Sequence, residues 1–230
     1  MEHILKIDGL TKKYFNKVAL DEISISFDKG KIYGLLGPNG SGKTTFMKIV
    51  AGLHKQTSGN VLVKGRPLSY RTKSDVVFMP TEDFLYPWMK IKTLIKYFSD
   101  MYSDFDSKRA NELIKEFELN QDSKISELST GLKGRVKVAL TISRNASIYM
   151  FDEPLNGLDP ISREMILRLI SETFNENKVI IVSSHLVSEL ETCLDEVIFL
   201  KNGVIELQGD AEEIRLEKQK SIEALYKEVY

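Results

Sequence analysis

Residues 31–44 read Lys31-Ile32-Tyr33-Gly34-Leu35-Leu36-Gly37-Pro38-Asn39-Gly40-Ser41-Gly42-Lys43-Thr44. The first six predict a buried strand, and the glycine-rich run behind them ends it. Residues 43–53 then predict a helix with Phe46, Ile49, Val50 and Leu53 on its apolar side, ended with the help of Gly52 and Gly59. The loop between strand and helix satisfies GxxxxGK(S/T), and each part has a physical reason. Its glycines let backbone N–H groups turn toward one point without interference from Cβ atoms, which makes an anion nest. The helix adds its positive end, Lys43 a full charge for outer phosphates, and the Thr44 hydroxyl a ligand for Mg²⁺. At average residue frequencies the four fixed positions arise by accident in about one chain of this length in a hundred, and the strand–loop–helix context lowers that further. Gly37, Pro38, Asn39, Gly40, Ser41, Gly42, Lys43, Thr44 and Thr45 are therefore predicted to bind nucleotide phosphates.

On the N-terminal side, Ile23-Ser24-Ile25-Ser26-Phe27 alternates as a half-exposed strand does, and Asp28-Lys29-Gly30 makes a turn. On the C-terminal side, 61–63 and 76–79 read as short strands. From about 84 to 126 the period becomes helical, with Leu94, Ile95 and Phe98 in one helix and Leu113, Ile114 and Phe117 in another. A helix from about Gly131, a strand at 148–151, a helix from about Ser162, a strand at 179–182, a short helix, a strand at 197–200 and a helical tail follow. Strands alternating with helices predict an α/β fold with a mostly parallel central sheet. An antiparallel β region precedes that sheet, and a helical insertion at about 84–140 interrupts it, all within one domain over 1–230.

A phosphate site also has to manage magnesium and water. Ile148-Tyr149-Met150-Phe151-Asp152-Glu153 is an apolar strand ending in two carboxylates. Asp152 at the strand end is placed to hold Mg²⁺ opposite Thr44. Glu153, one residue on, points elsewhere and is the candidate general base for the attacking water.

The 230 residues are 42% hydrophobic and 28% charged, enough to bury a sizeable core. Lys and Arg number 32 against 33 Asp and Glu, so no uniform basic field exists and no nucleic-acid partner is expected. The lone Cys193 excludes an intrachain disulfide and reads as a core filler, fitting a reducing compartment. Residues 1–10 mix charges with apolar side chains and do not read as a signal peptide. No window approaches the roughly 18 apolar residues that span a bilayer.

Four further motifs stand in order along the chain, and with them it resembles the ABC ATPase family over nearly its whole length. Leu128-Ser129-Thr130-Gly131-Leu132-Lys133-Gly134-Arg135 is similar to the family's LSGGQ signature, with Gly131 placed 21 residues before Asp152. Asn156-Gly157-Leu158-Asp159 resembles the D-loop, His185 the switch histidine, and Tyr14 the aromatic residue that stacks on adenine. The resemblance implies ATP and Mg²⁺ as ligands and a head-to-tail dimer with a second ATPase subunit. In it Ser129, Thr130 and Gly131 complete the partner's site, Asp159 communicates across the interface, and His185 contacts the γ-phosphate. It also implies a separate transmembrane permease and a cytoplasmic position, peripheral on the inner face of the membrane. Two departures stand out. Thr130 and Leu132 replace the signature's Gly and Gln. Thr81-Glu82 replaces a glutamine that touches magnesium and water; Thr81 aligns with it, and Glu82 is chemically closer but one place late.

The signature, the Asn-Gly-Leu-Asp segment and the short chain are similar to ATPase subunits of bacterial export-type transporters, including those of bacitracin-like antibiotic efflux. A soluble ABC protein of translation or DNA repair is the alternative; the former carry two such domains and the latter a long coiled coil, which 230 residues do not accommodate. A small P-loop kinase needs neither the signature, nor the D-loop, nor the switch histidine. Phe84-Leu85-Tyr86-Pro87-Trp88 reads equally as packing of the insertion and as a contact for a permease helix. The tail from about 210 onward, with Ile222, Leu225 and Val229 on one side, is predicted to dock on its own domain.

Overall fold

The N-terminal alternation resolves into long paired strands. In the computed structural model, which describes residues 3–230, β1 (Leu5–Tyr14) and β2 (Lys17–Phe27) form an antiparallel hairpin. Met1 and Glu2, at the head of the segment that carries no signal-peptide pattern, lie outside the described residues. After β3 (Lys31–Leu36) and α1 (Lys43–Val50) come β4 (Ser58–Val63) and β5 (Arg66–Pro67), which complete an antiparallel sheet in the order β2-β1-β4-β5.

The helix after the phosphate loop is shorter than predicted. Gly52, at φ +69°, ends it in a Schellman turn: Gly52 N–H donates to Ile49 O and Leu53 N–H to Lys48 O, each at 2.8 Å. Leu53 therefore leaves the apolar face and stands 60% exposed. Gly59 takes no part in ending the helix. It sits inside β4 at φ +85°, where a Cβ would come within 2.3 Å of the Gly9 carbonyl oxygen.

Beyond β6 (Val76–Met79) the chain is helical in α2 (Ile91–Met101), α3 (Ser107–Glu116) and α4 (Thr130–Ile142), as the change of period predicts. Then β7 (Ile148–Asp152), α5 (Pro160–Thr173), β8 (Val179–Ser184), α6 (Val187–Leu190) and β9 (Glu196–Lys201) alternate. The sequence reading missed the next element, β10 (Val204–Asp210), which pairs antiparallel with β9 before α7 (Ala211–Lys218) and α8 (Ile222–Val229). The central sheet runs β10-β9-β3-β8-β7-β6, parallel except at β10.

Parallel strands covered on both faces read as continuous apolar runs, and the pleat divides each run between two cores. Tyr149 and Phe151 of β7 pack with Ile180, Val182 and Phe199 beneath α2–α8, and Ile148 and Met150 pack with Ile181, Leu35 and Phe46 on the side of α1 and the antiparallel sheet. Ile222 and Leu225 are buried in the first core, so the tail docks as predicted. Cys193 also packs there, its thiol donating to Leu190 O at 3.1 Å and pushed up to about 11 by burial. Native protein is expected to react with a thiol reagent at pH 8 at least about tenfold more slowly than the urea-unfolded chain, because the thiolate is the nucleophile. A raised thiol value favours the folded state until its ordinary ionisation is passed. That contribution fades as pH climbs through about 9 toward about 11.

Register then assembles the site. Leu36 lies opposite Ser184 and Asp152 opposite Ser183, so the carboxyl ends of β3, β8 and β7 meet at one edge of the sheet. Ligands collect at such edges in open α/β sheets.

Candidate nucleotide site

The phosphate loop leaves β3 at Gly37 and re-enters regular structure at Lys43. Gly42 precedes the helix at φ +116°; no side chain caps α1, and its first turn holds no acidic residue. The orphan N–H groups of that turn are therefore left to an anion. Space enforces two of the glycines: a Cβ on Gly37 would lie 2.4 Å from Leu200 O, and one on Gly42 2.7 Å from Ala19 O. Gly42→Ala is expected to cost about 1–3 kcal/mol from backbone strain alone. It should also weaken ATP binding, which thermal melting and nucleotide titration read together. Lys43, 5% exposed, curls back over the loop, donating to Gly37 O at 2.6 Å and Pro38 O at 3.3 Å. Pro38, Asn39 and Gly40 form the exposed rim, and half-buried Thr45 makes no side-chain hydrogen bond among the described residues.

Four predicted residues from other elements, Asp152, Glu153, His185 and Thr81, gather beside this loop. Thr44 Oγ1 donates to Asp152 Oδ2 at 2.8 Å, and the fully buried carboxylate takes Ser183 Oγ on its other oxygen at 2.6 Å. Glu153 turns away at φ +52°, its N–H fixed to Ser183 Oγ at 3.0 Å. Its Oε2 pairs with His185 Nδ1 at 2.8 Å, and its Oε1 lies 3.3 Å from Lys43 Nζ. Thr81 Oγ1 donates to Asp152 O at 3.1 Å. Glu82 turns instead to Lys48 at 2.5 Å, and that bond holds its carboxyl below the usual range. Of the two candidates for the loop after β6, Thr81 is the one that reaches this cluster.

Ser129, Thr130, Gly131 and Asp159 form a second group, and none of them hydrogen-bonds to the phosphate loop among the described residues. Ser129 caps α4, accepting from Leu132 N–H at 3.3 Å, with Thr130 exposed beside it. Asp159 caps α5 by accepting from Ser162 N–H and its hydroxyl, and these bonds hold its carboxyl below the usual range. The two loops touch: Gly157 faces Thr130 Cγ2, and Leu158 lies against Gly131 and Gly134 of α4.

The family described as "ABC transporter" matches residues 20–156. The chain belongs to that family. It is 33% identical over 208 residues to the lantibiotic transport ATP-binding protein SrtF of Streptococcus pyogenes, covering 90% of this chain and 91% of the relative. It is 29% identical over 217 residues to the ABC transporter ATP-binding protein YtrB of Bacillus subtilis, covering 93% and 74%. A dimeric ATP-binding cassette in a post-hydrolysis state with ADP and Pi superposes with a TM-score of 0.80 at 25% identity, covering 90% and 98%. An ATP-binding subunit of an ABC transporter matches in fold with a TM-score of 0.88 at 24% identity, covering 98% of both chains.

An ABC ATP-binding subunit binds and hydrolyses ATP to power a transporter, and this favours the transport motor over the soluble alternative. Two observations fit MgATP to the site. Ser41 Oγ and Glu153 Oε1 are buried beside the loop without a hydrogen-bond partner among the described residues. Thr44 and Asp152 bring two hard oxygen donors together, the donor set Mg²⁺ prefers. Tyr14 ends β1 opposite Lys17, two residues before Ala19, whose carbonyl abuts Gly42. The Tyr14 hydroxyl bonds His54 Nδ1 at 2.7 Å, and Lys12 Nζ stands 4.7 Å over its ring. The sequence reading missed Ser183, which binds Asp152 and Glu153 at once; its place opposite Asp152 is visible only after β8 is set beside β7.

Proposed function

We infer that the chain is a single ABC ATPase domain over 1–230, with its helical part at about 84–140, that closes head-to-tail with a second ATPase chain around two MgATP. Lys43 binds the outer phosphates, Thr44 and Asp152 hold Mg²⁺, and Tyr14 stacks on adenine. Bound Mg²⁺ supplies charge neutralisation for the β- and γ-phosphates. Glu153 accepts the proton of the attacking water, and His185 steadies that carboxylate and reaches toward the γ-phosphate. The carrying observation is that Lys43, Thr44, Asp152, Glu153 and His185 converge, whereas Ser129, Thr130 and Gly131 stand apart at an exposed helix start. This second group is the half-site offered to the partner's nucleotide.

The permease is read as a separate transmembrane chain docking where α2 meets the β6 edge, a groove lined by Phe78, Pro80, Phe84, Phe98 and Tyr102. Of the aromatic segment only Phe84 lines that groove; beyond it Leu85 is buried and Tyr86 packs on Tyr97, whereas Trp88 is 68% exposed. Trp88 is the contact candidate. Among the described residues no helix is long and apolar enough to cross a membrane. Similarity to transporter ATP-binding proteins supports reading the chain as peripheral on the inner membrane face through that partner. Similarity to the lantibiotic transport protein supports the export-type reading. Light scattering of Glu153→Gln with MgATP tests the core of this proposal. A dimer that is absent without nucleotide is expected; a monomer at saturating ATP would overturn a closed pair of identical chains.

A further inference from the structure

Lys137 lies in α4, seven residues and close to two turns beyond Thr130. Its side chain turns inward, and the residue is only 9% exposed. Nζ donates to two carbonyls of the loop after β6, Thr81 O and Glu82 O, each at 2.9 Å. The Phe84 ring lies 5.4 Å away. Burial pulls the ammonium below the ordinary lysine value, while Asp83, Glu82 and Asp152 favour its charge. Surface lysines bury the stem and leave the ammonium in water; this one ends on backbone oxygens inside the protein. A buried charge that satisfies itself on two carbonyls resists their movement, because releasing them leaves it unpaired.

The contacts continue past the loop. Thr81 Oγ1 donates to Asp152 O at 3.1 Å, and Asp152 Oδ2 accepts from Thr44 Oγ1 at 2.8 Å. Lys137, Thr81, Asp152 and Thr44 thus form one unbroken line from the signature helix to the phosphate loop. We propose that Lys137 is a positioning residue that sets the Asp152–Thr44 pair through Thr81, so that the pair's readiness for Mg²⁺ depends on where the signature helix lies. The proposal rests on the reading of Asp152 and Thr44 as the Mg²⁺ holders. A helix whose N-terminus meets the partner's nucleotide is thereby tied to the metal side of its own site.

Lys137→Met keeps the stem and removes the ammonium. In the Glu153→Gln background, the Mg²⁺ concentration at half-maximal ATP-dependent dimerisation is expected to rise about tenfold or more, as when a metal ligand loses its orienting group. ATP affinity measured in EDTA should stay within about twofold, since that orienting loss acts on the metal. With Glu153 intact, kcat is expected to fall about tenfold with KM changed less than about threefold. Thr81→Val removes the next bond and should move the Mg²⁺ midpoint similarly. The double variant should go little further than the larger single one. An unchanged midpoint in either variant, or fully additive shifts, overturns the proposal. If melting shows that Lys137→Met does not fold, Thr81→Val decides the matter by the same midpoint. If the Glu153→Gln parent itself stays monomeric in MgATP, the closed pair of identical chains falls instead. The Mg²⁺ dependence of kcat, with Glu153 intact, then tests Lys137 separately: a midpoint raised by Lys137→Met upholds its role, and an unchanged one overturns it.

Discussion

Replacing Glu153 by glutamine is expected to lower the ATPase rate by about 10²–10⁴-fold, the span lost with a positioned general base, while ATP still binds. The surroundings of Glu153 make this a clean substitution. Its backbone is fixed at φ +52° by N–H bonds to Ser183 O at 3.2 Å and Ser183 Oγ at 3.0 Å, and neither depends on the side chain. Glutamine fills the same volume and can still meet His185, but it cannot take a proton from water. Loss of the negative charge 3.3 Å from Lys43 also leaves that ammonium freer for phosphate. Turnover should therefore fall without a matching loss of nucleotide affinity, and the melting temperature should change little. A rate above about one tenth of wild type would remove Glu153 from the role of base, because a base contributes at least two orders of magnitude.

How much of this was legible in the sequence follows from the range of the interactions. The phosphate loop is a local object: its glycines, its lysine and the helix behind it act within a dozen residues, and the pattern carries its own meaning. Asp152 and Glu153 were legible because four apolar residues set them at a strand end. Strand β10 was not, since it is a half-exposed edge whose burial follows from its pairing with β9 rather than from a regular alternation. The end of α1 was misplaced because Leu53 continues the apolar period, and only the turn at Gly52 breaks it. Ser183 and Lys137 lay out of reach for a different reason. Their partners are 31 and 56 residues away in sequence, and only the parallel register and the packing of α4 bring them together. The signature and D-loop were read as separate motifs; their contact through Leu158 and Thr130 belongs to tertiary packing alone.

Lys43→Ala is expected to act at an earlier step, lowering kcat/KM by about 10²–10³-fold, the scale for removing one electrostatic stabiliser from a preorganised site. ATP affinity should fall about 10–100-fold, as for losing a hydrogen bond to a charged group. The ammonium bonds Gly37 O and Pro38 O, so these carbonyls hold it over the phosphate loop. Its removal takes away a charge and also leaves the buried Glu153 Oε1 without the cation 3.3 Å away. That uncompensated carboxylate stands beside the phosphate loop, so its repulsion of an incoming phosphate is expected to add to the missing attraction. The two substitutions are thus separable by order of events. Glu153→Gln should collect as a nucleotide-bound dimer, and combining it with Lys43→Ala should abolish that dimer at ATP concentrations that saturate the single variant. A double variant that still dimerised would show that the N–H groups of the loop and of α1 hold the triphosphate without the lysine, and Lys43 would then matter for the bond-breaking step alone.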